Sequence, residues 1–203
     1  MSLEVWAAFC VTETVLCFTP GPAVLLVVSI ALGRGFRPSV GAAFGIAAAN
    51  SLYFALSATG VAAALIASRE LFLALKWIGA TYLVWLGVRM VFSRDSSEHN
   101  ASPIPVARTF VRGFVVQGAN PKALVFFVAL VPQFVDPSSP VPTQLLVLGV
   151  SSVLIELAAL ASYAFGAVRA RRVTGARVAG ALQRVGGGLL VAAGARLAAV
   201  RSE

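Results

Sequence analysis

Two short runs place proline and glycine where long apolar stretches would otherwise continue. They are Phe18-Thr19-Pro20-Gly21-Pro22 and, about a hundred residues on, Gly118-Ala119-Asn120-Pro121-Lys122. Proline lacks an N–H and clashes with the carbonyl four residues back, so the carbonyls of Leu16, Phe18 and Gln117 lose their helical partners. Freed carbonyls favour a cation. The residues after Gly21-Pro22 begin a new half-helix, whose unpaired N–H groups favour an anion. The first break therefore offers both polarities without a charged side chain. Four polar groups lie near these breaks or at similar depth in their own apolar stretches: Glu13, Asn50, Lys122 and Glu156.

The elements that carry them belong in a membrane. Of 203 residues, 59% are hydrophobic and 12% charged, with mean hydropathy +0.88. A soluble domain carries about 25% charge. The net charge of +8 would suit nucleic acid, but the arginines sit in short loops between apolar stretches, where membrane orientation explains them. At ~20 residues per crossing, six spans are expected. They cover about Leu3–Leu32, Ser39–Ile66, Leu71–Phe92, Gly113–Val135, Thr143–Val168 and Val178–Val200. The sixth has the shortest charge-free core, Val185–Ala195, flanked by Arg184 and Arg196, which can snorkel. Met1–Val5 has no positive n-region, and the apolar run after it is too long for a signal peptide, so it reads as a retained first span. Cys10 and Cys17 are seven residues apart on that span, roughly 10 Å, too far for a disulfide.

Alternate loops differ in charge. One set holds Arg34, Arg37, Arg89, Arg94, Arg108, Arg112, Arg169, Arg171, Arg172, Arg177 and Arg184; the other holds Arg69, Lys76, Arg196 and Arg201. The positive-inside rule puts the first set in the cytoplasm and both termini outside. Residues 1–92 then form a first three-helix repeat, 93–111 a cytoplasmic linker, and 112–203 a second repeat, all within one transmembrane domain. Three is odd, so the second repeat enters the membrane upside down. An all-α integral membrane protein follows: six transmembrane helices as a 3+3 inverted repeat, with helices 1 and 4 broken near the midplane. Matched broken helices in two halves point to a transporter's binding site.

Further residues add to the pattern: Ala23 after the first break, Gly33-Arg34-Gly35, Gly41-Ala42-Ala43-Phe44-Gly45, Gly79-Ala80-Thr81-Tyr82-Leu83, Leu86-Gly87, then Ala123 and Phe126-Phe127 after the second break. In this order, from Phe18 to about Pro137, the chain resembles the lysine-exporter (LysE/RhtB) family of amino-acid exporters. The C-terminal third matches only in length and hydropathy. The resemblance implies six helices, a plasma (inner) membrane location and export of amino acids or close derivatives. A zwitterion wants a cation or N–H dipoles for its carboxylate and an anion or carbonyls for its ammonium. Thr19, Pro20, Gly21, Pro22, Asn50, Asn120, Pro121 and Lys122 are therefore the expected substrate-binding and translocation residues. Glu156 and Glu13 are the candidates to carry a coupling proton, since ionisable groups at membrane depth are costly and functional by default.

Plainer readings stand beside these. Lys122 would form a structural ion pair with a glutamate, Glu13 would snorkel outward, Asn50 would bridge two helices, and a single proline would be a kink. Gly41, Gly45 and Ala49 form a small-residue stripe for close packing, and Gly186–Gly188 does the same in span six. Trp6, Trp77 and Trp85 suit interfacial or packing roles, and His99 a solvated loop. A divalent metal-ion exporter is the main alternative, but two intramembrane glutamates are few ligands. A membrane thiol–disulfide carrier would use Cys17-Phe18-Thr19-Pro20, yet span four has Gly118 where its second cysteine belongs. The sequence shows no His-Glu-x-x-His set and no nucleotide motif, so neither an enzyme nor an ATP-driven pump is expected. No cofactor, metal or nucleic acid is expected. The expected partners are substrate, protons and lipid, with a homo-oligomer left open.

Overall fold

A computed structural model of the chain describes residues 1–58, 69–92, 105–120, 122–123 and 126–199. Pro121, His99, Arg94, Arg201 and most of the 93–111 linker lie outside the described residues. The described residues form six α-helices and no strand: α1 Leu3–Phe18, α2 Pro22–Arg34, α3 Phe36–Ala58, α4 Arg69–Val91, α5 Val106–Gly118 and α6 Val141–Ala199. A π-helical turn, Phe126–Leu130, and a 3-10 turn, Val131–Phe134, lie between α5 and α6.

The Ser2 side chain caps α1 by accepting from Val5 N–H. The helix ends where Pro20 and Pro22 cannot donate, and α2 restarts with Pro22 at its first position, bent by 53° from α1. Gly35 closes α2 at φ 91°, a left-handed conformation that glycine adopts without a Cβ penalty. That turn lets α3 start at once and run back.

Contacts fix the helix directions. Trp6 bonds Ser151, Glu13 bonds Ser152, Tyr163 bonds Phe18, and Arg171 bonds Gly33, so the bent α1–α2 pair runs parallel to the first half of α6. Gly41 meets Val106 and Thr109, Gly45 meets Phe110, and Asn50 bonds Gln117, so α3 and α5 are also parallel. Asn50 also bonds Glu156, while Phe54 lies against Gly149, so α3 runs antiparallel to α6. These are the relative directions expected for spans one, two, four and five.

The small residues decide how closely α3 and α5 approach. A methyl on Gly45 would overlap the Phe110 carbonyl, and one on Gly113 would overlap the Ala42 carbonyl. Such packing replaces a hydrophobic driving force that lipid cannot supply. Gly87 of α4 meets Gly187 and Val191 in the same way, as expected for the glycine run of span six.

Two elements differ from expectation. The arginine-rich stretch 169–177 is helical, so α6 runs unbroken from Val141 to Ala199 where two spans with a loop were expected. Alanine and arginine are strong helix formers, and charge alone does not stop a backbone. The helix of the fourth expected span starts at Val106, before Gly113. By length and apolarity, Phe36–Ser57 and Val141–Val173 qualify as membrane spans among the described residues, with a third if the bent α1–α2 pair counts as one. The apolar segment of the expected sixth span, Arg184–Ala193, is shorter.

Two apolar clusters fill the interior. One gathers Phe9, Phe54, Phe126, Phe127 and Leu148, around edge-on and stacked rings such as Phe54–Phe127 at 4.8 Å and Tyr53–Phe127 at 5.0 Å. The other gathers Val27, Ile46, Leu83, Ala164 and Leu190. The first takes the early part of α1, the late part of α3 and the early part of α6. The second takes α2, the early part of α3, α4 and the later part of α6.

Candidate functional site

The freed carbonyls of both breaks find partners. Leu16 O accepts from Thr19 N–H and from the Lys122 ammonium, and Thr19 O accepts from the same ammonium at 2.9 Å. Phe18 O accepts from Tyr163 Oη at 2.8 Å. At the second break Gln117 O accepts from Asn120 N–H, and Gly118 O from Tyr53 Oη at 2.7 Å. Away from water each such carbonyl would otherwise cost on the order of 1–3 kcal/mol. Lys122 thus ties the second break to the first, its stem lying 3.7 Å from where a Gly21 Cβ would be.

A cavity of about 60 Å³ lies between the two breaks. Glu13, Cys17 and Leu16 of α1 line it, with Gly21, Ala23 and Val24 at the start of α2. Asn50 of α3 and Gln117 at the end of α5 face it, as do Asn120, Lys122, Ala123, Phe126 and Phe127 beyond. Glu156 and Leu160 of α6 complete the wall. Ala123, Phe126 and Phe127 belong to one apolar cluster, and Ala23, Val24 and Leu160 to the other, so the cavity separates the two.

Its polar groups are buried and bonded. Asn50 Nδ2 donates to Glu156 Oε2 at 2.7 Å, Gln117 Nε2 to Asn50 Oδ1 at 2.7 Å, and Asn120 Nδ2 to Gln117 Oε1 at 2.9 Å. Lys122 N–H then donates to Asn120 Oδ1 at 3.1 Å. Glu13 is 4% exposed and accepts from Ser152 Oγ at 2.6 Å, with the Cys17 thiol 3.8 Å away. Burial rules out the outward reach that the sequence allows for Glu13. The start of α2 has no side-chain cap, and Gly21, Ala23 and Val24 there line the cavity with Lys122. The cavity therefore carries one ammonium, from Lys122, and two carboxyls, from Glu13 and Glu156.

Asn50, Asn120, Lys122, Glu13, Glu156 and Gly21 thus converge on one cavity, as their residue types and depths suggested. Lys122 reaches backbone carbonyls of the first break instead of the glutamate partner its plainer reading gave it. Asn50 both faces the cavity and bridges α3 to α6. Thr19, Pro20 and Pro22 shape the break without lining the cavity. The Thr19 hydroxyl turns back to Val15 O, and only its carbonyl serves Lys122. The Gln117 side chain, Ser152, Tyr53 and Tyr163 were not anticipated. Gln117 carried the signal that marked Asn50, an amide deep in an apolar stretch. No group of three or more His, Cys, Asp or Glu residues among the described residues is placed to hold a metal ion.

The family model for LysE type translocators matches residues 14–200. A protein of Salmonella typhimurium named homoserine/homoserine lactone efflux protein is 31% identical over 204 residues, 99% of each chain. An uncharacterized membrane protein of Vibrio cholerae is 31% identical over 208 residues, spanning all of both chains. A leucine efflux protein of Enterobacter sp. (strain 638) is 34% identical over 123 residues, 59% of this chain and 58% of its own. No solved structure matches.

Proposed function

Because this chain belongs to the LysE-type translocator family, whose members are transporters and not enzymes, we propose that it exports an amino acid or close derivative through the cavity between its two breaks. The observation that carries this reading is the polarity of that cavity. The Lys122 ammonium and the open start of α2 suit a carboxylate, and the Glu13 and Glu156 carboxyls suit an ammonium. A zwitterion needs both at once. Each water needs ~10–15 Å³ by this measure, so the cavity has room for about four to six waters. That favours a small substrate. Phe126, Phe127 and Leu160 offer its side chain an apolar wall, which suits the uncharged side chains in the names of the homoserine and leucine relatives.

The fold supports an inverted repeat. A twofold axis in the membrane plane that exchanges the first span with the fourth and the second with the fifth also maps the α3–α5 contact onto the α6 contact with α1–α2. Both pairs are parallel, as that symmetry requires. The two apolar clusters then act as alternating closures, one on each side of the cavity. We read the arginine asymmetry as putting both termini outside the inner membrane. Reporter fusions at Ser96 and Ser202 should accordingly sit on opposite sides; the same side for both would remove the sixth crossing.

Glu156 is our candidate for proton coupling, because it lines the cavity from α6 and is bonded to Asn50 of α3. Glu156→Gln keeps an acceptor for Asn50 but cannot exchange a proton. In liposomes it should still exchange labelled homoserine or leucine across the membrane, while efflux driven by a pH gradient disappears. Unaltered gradient dependence would exclude Glu156 and leave Glu13 as the coupling group.

A further inference from the structure

Glu156, Asn50, Gln117, Asn120 and the backbone N–H of Lys122 form one unbranched hydrogen-bonded row across α6, α3 and the second break. The four side chains are between 3% and 7% exposed, and each is bonded to its neighbour in the row. The direction of the row is set at both ends. Lys122 N–H can only donate, so Asn120 must turn its oxygen toward it. An ionised Glu156 can only accept, so Asn50 must turn its NH₂ toward that carboxylate. Gln117 has one orientation that serves both neighbours, and it holds that one.

We propose that this amide row transmits the charge of Glu156 to the second break, with Gln117 as its central positioning residue. The idea rests on the exporter reading above. A bond to a carboxylate is stronger than one to a neutral acid, so a proton on Glu156 weakens the pull on Asn50. The new hydroxyl can donate to Asn50 Oδ1, which reverses Asn50, Gln117 and Asn120 in turn, because each bond polarises the next. Asn120 then presents its NH₂ to the Lys122 N–H, donor against donor, and the bond is lost. Lys122 is also the residue whose ammonium holds the carbonyls of the first break. One proton at Glu156 thereby loosens the tie between the two breaks. The other ionisable groups on this cavity are Glu13 and Cys17 from α1 and Lys122 itself; the walls from α2 and α3 add none. Glu13 takes its bonds from Ser152 and Cys17, on α6 and α1, and shares none with the row, although its charge faces the same cavity as Glu156.

The test uses the full chain in liposomes, with labelled homoserine, homoserine lactone and leucine as probes. The readout is the ratio of flux with a pH gradient to flux without one. In Gln117→Met, which cuts the row at its middle, the ratio should fall to unity while some exchange remains. In Gln117→Glu, the protonated acid donates to Asn50 and accepts from Asn120, so the row is whole at low pH and broken once that acid ionises. Its ratio should survive in acid and vanish as the pH rises, and this variant decides the matter if Gln117→Met does not fold. A parental ratio at all pH values in the folded variants overturns the inference. A parent protein that exchanges none of the three probes overturns the exporter reading instead.

Discussion

Replacing Lys122 with methionine should reduce export roughly a hundredfold while the protein still inserts and folds. Methionine keeps a stem to lie along Gly21 and removes only the ammonium. That ammonium makes two bonds to the first break, at Leu16 O and Thr19 O. Bonds to a charged donor contribute about 1.5–3 kcal/mol each, and about 1.4 kcal/mol is tenfold in an equilibrium, so losing the tie has room for that effect. Folding should survive because the nearby carboxyls keep other donors: Ser152 for Glu13 and Asn50 for Glu156. The competing role, a charge partner for a buried glutamate, makes a different forecast. There, Lys122→Ala would lower stability, and Lys122→Ala with Glu156→Ala would recover it. Normal efflux from a well-expressed Lys122→Met protein would dismiss both roles.

The Pro20→Ala, Pro22→Ala pair should give a protein that melts no lower than the parent and transports nothing. Each alanine returns a backbone N–H one turn beyond a freed carbonyl. Those donors compete for Leu16 O and Phe18 O, which the Lys122 ammonium and the Tyr163 hydroxyl now hold. A proline inside a helix costs about 3 kcal/mol, so healing the 53° bend between α1 and α2 should not destabilise the protein. It would close the break, displace Lys122 and remove the open N-terminus of α2 from the cavity. Retained efflux with a lowered melting temperature would make the prolines a requirement of the fold and not of the site.

Much of the site was legible because polar residues in apolar spans have few reasons to be there. That logic brought Glu13, Asn50, Lys122 and Glu156 into consideration, the second break added Asn120, and all five meet around one cavity. It also counted the carbonyls that the prolines free. It could not find their partners. Tyr53, Lys122 and Tyr163 are distant in sequence from the carbonyls they serve, and a tyrosine in an apolar stretch carries no mark of its task. Lys122 was open to misreading for the same reason. A lysine with two glutamates at membrane depth suggests an ion pair, whereas a break next door offers carbonyls that need a donor more. The relative helix directions were legible from the alternation of the spans. The unbroken α6 was not, because the arginines that mark a membrane boundary also favour helix.

The central claim is that the exported molecule binds between the two breaks. Equilibrium binding of labelled homoserine and leucine to purified protein in detergent, with no gradient and no transport, tests it most directly. The account predicts saturable binding of at least one of them to the parent, weaker but measurable binding to Glu156→Gln, where Glu13 still serves the ammonium, and binding lost in folded Lys122→Met. Binding to Lys122→Met as tight as to the parent would contradict it and place the substrate elsewhere in the protein.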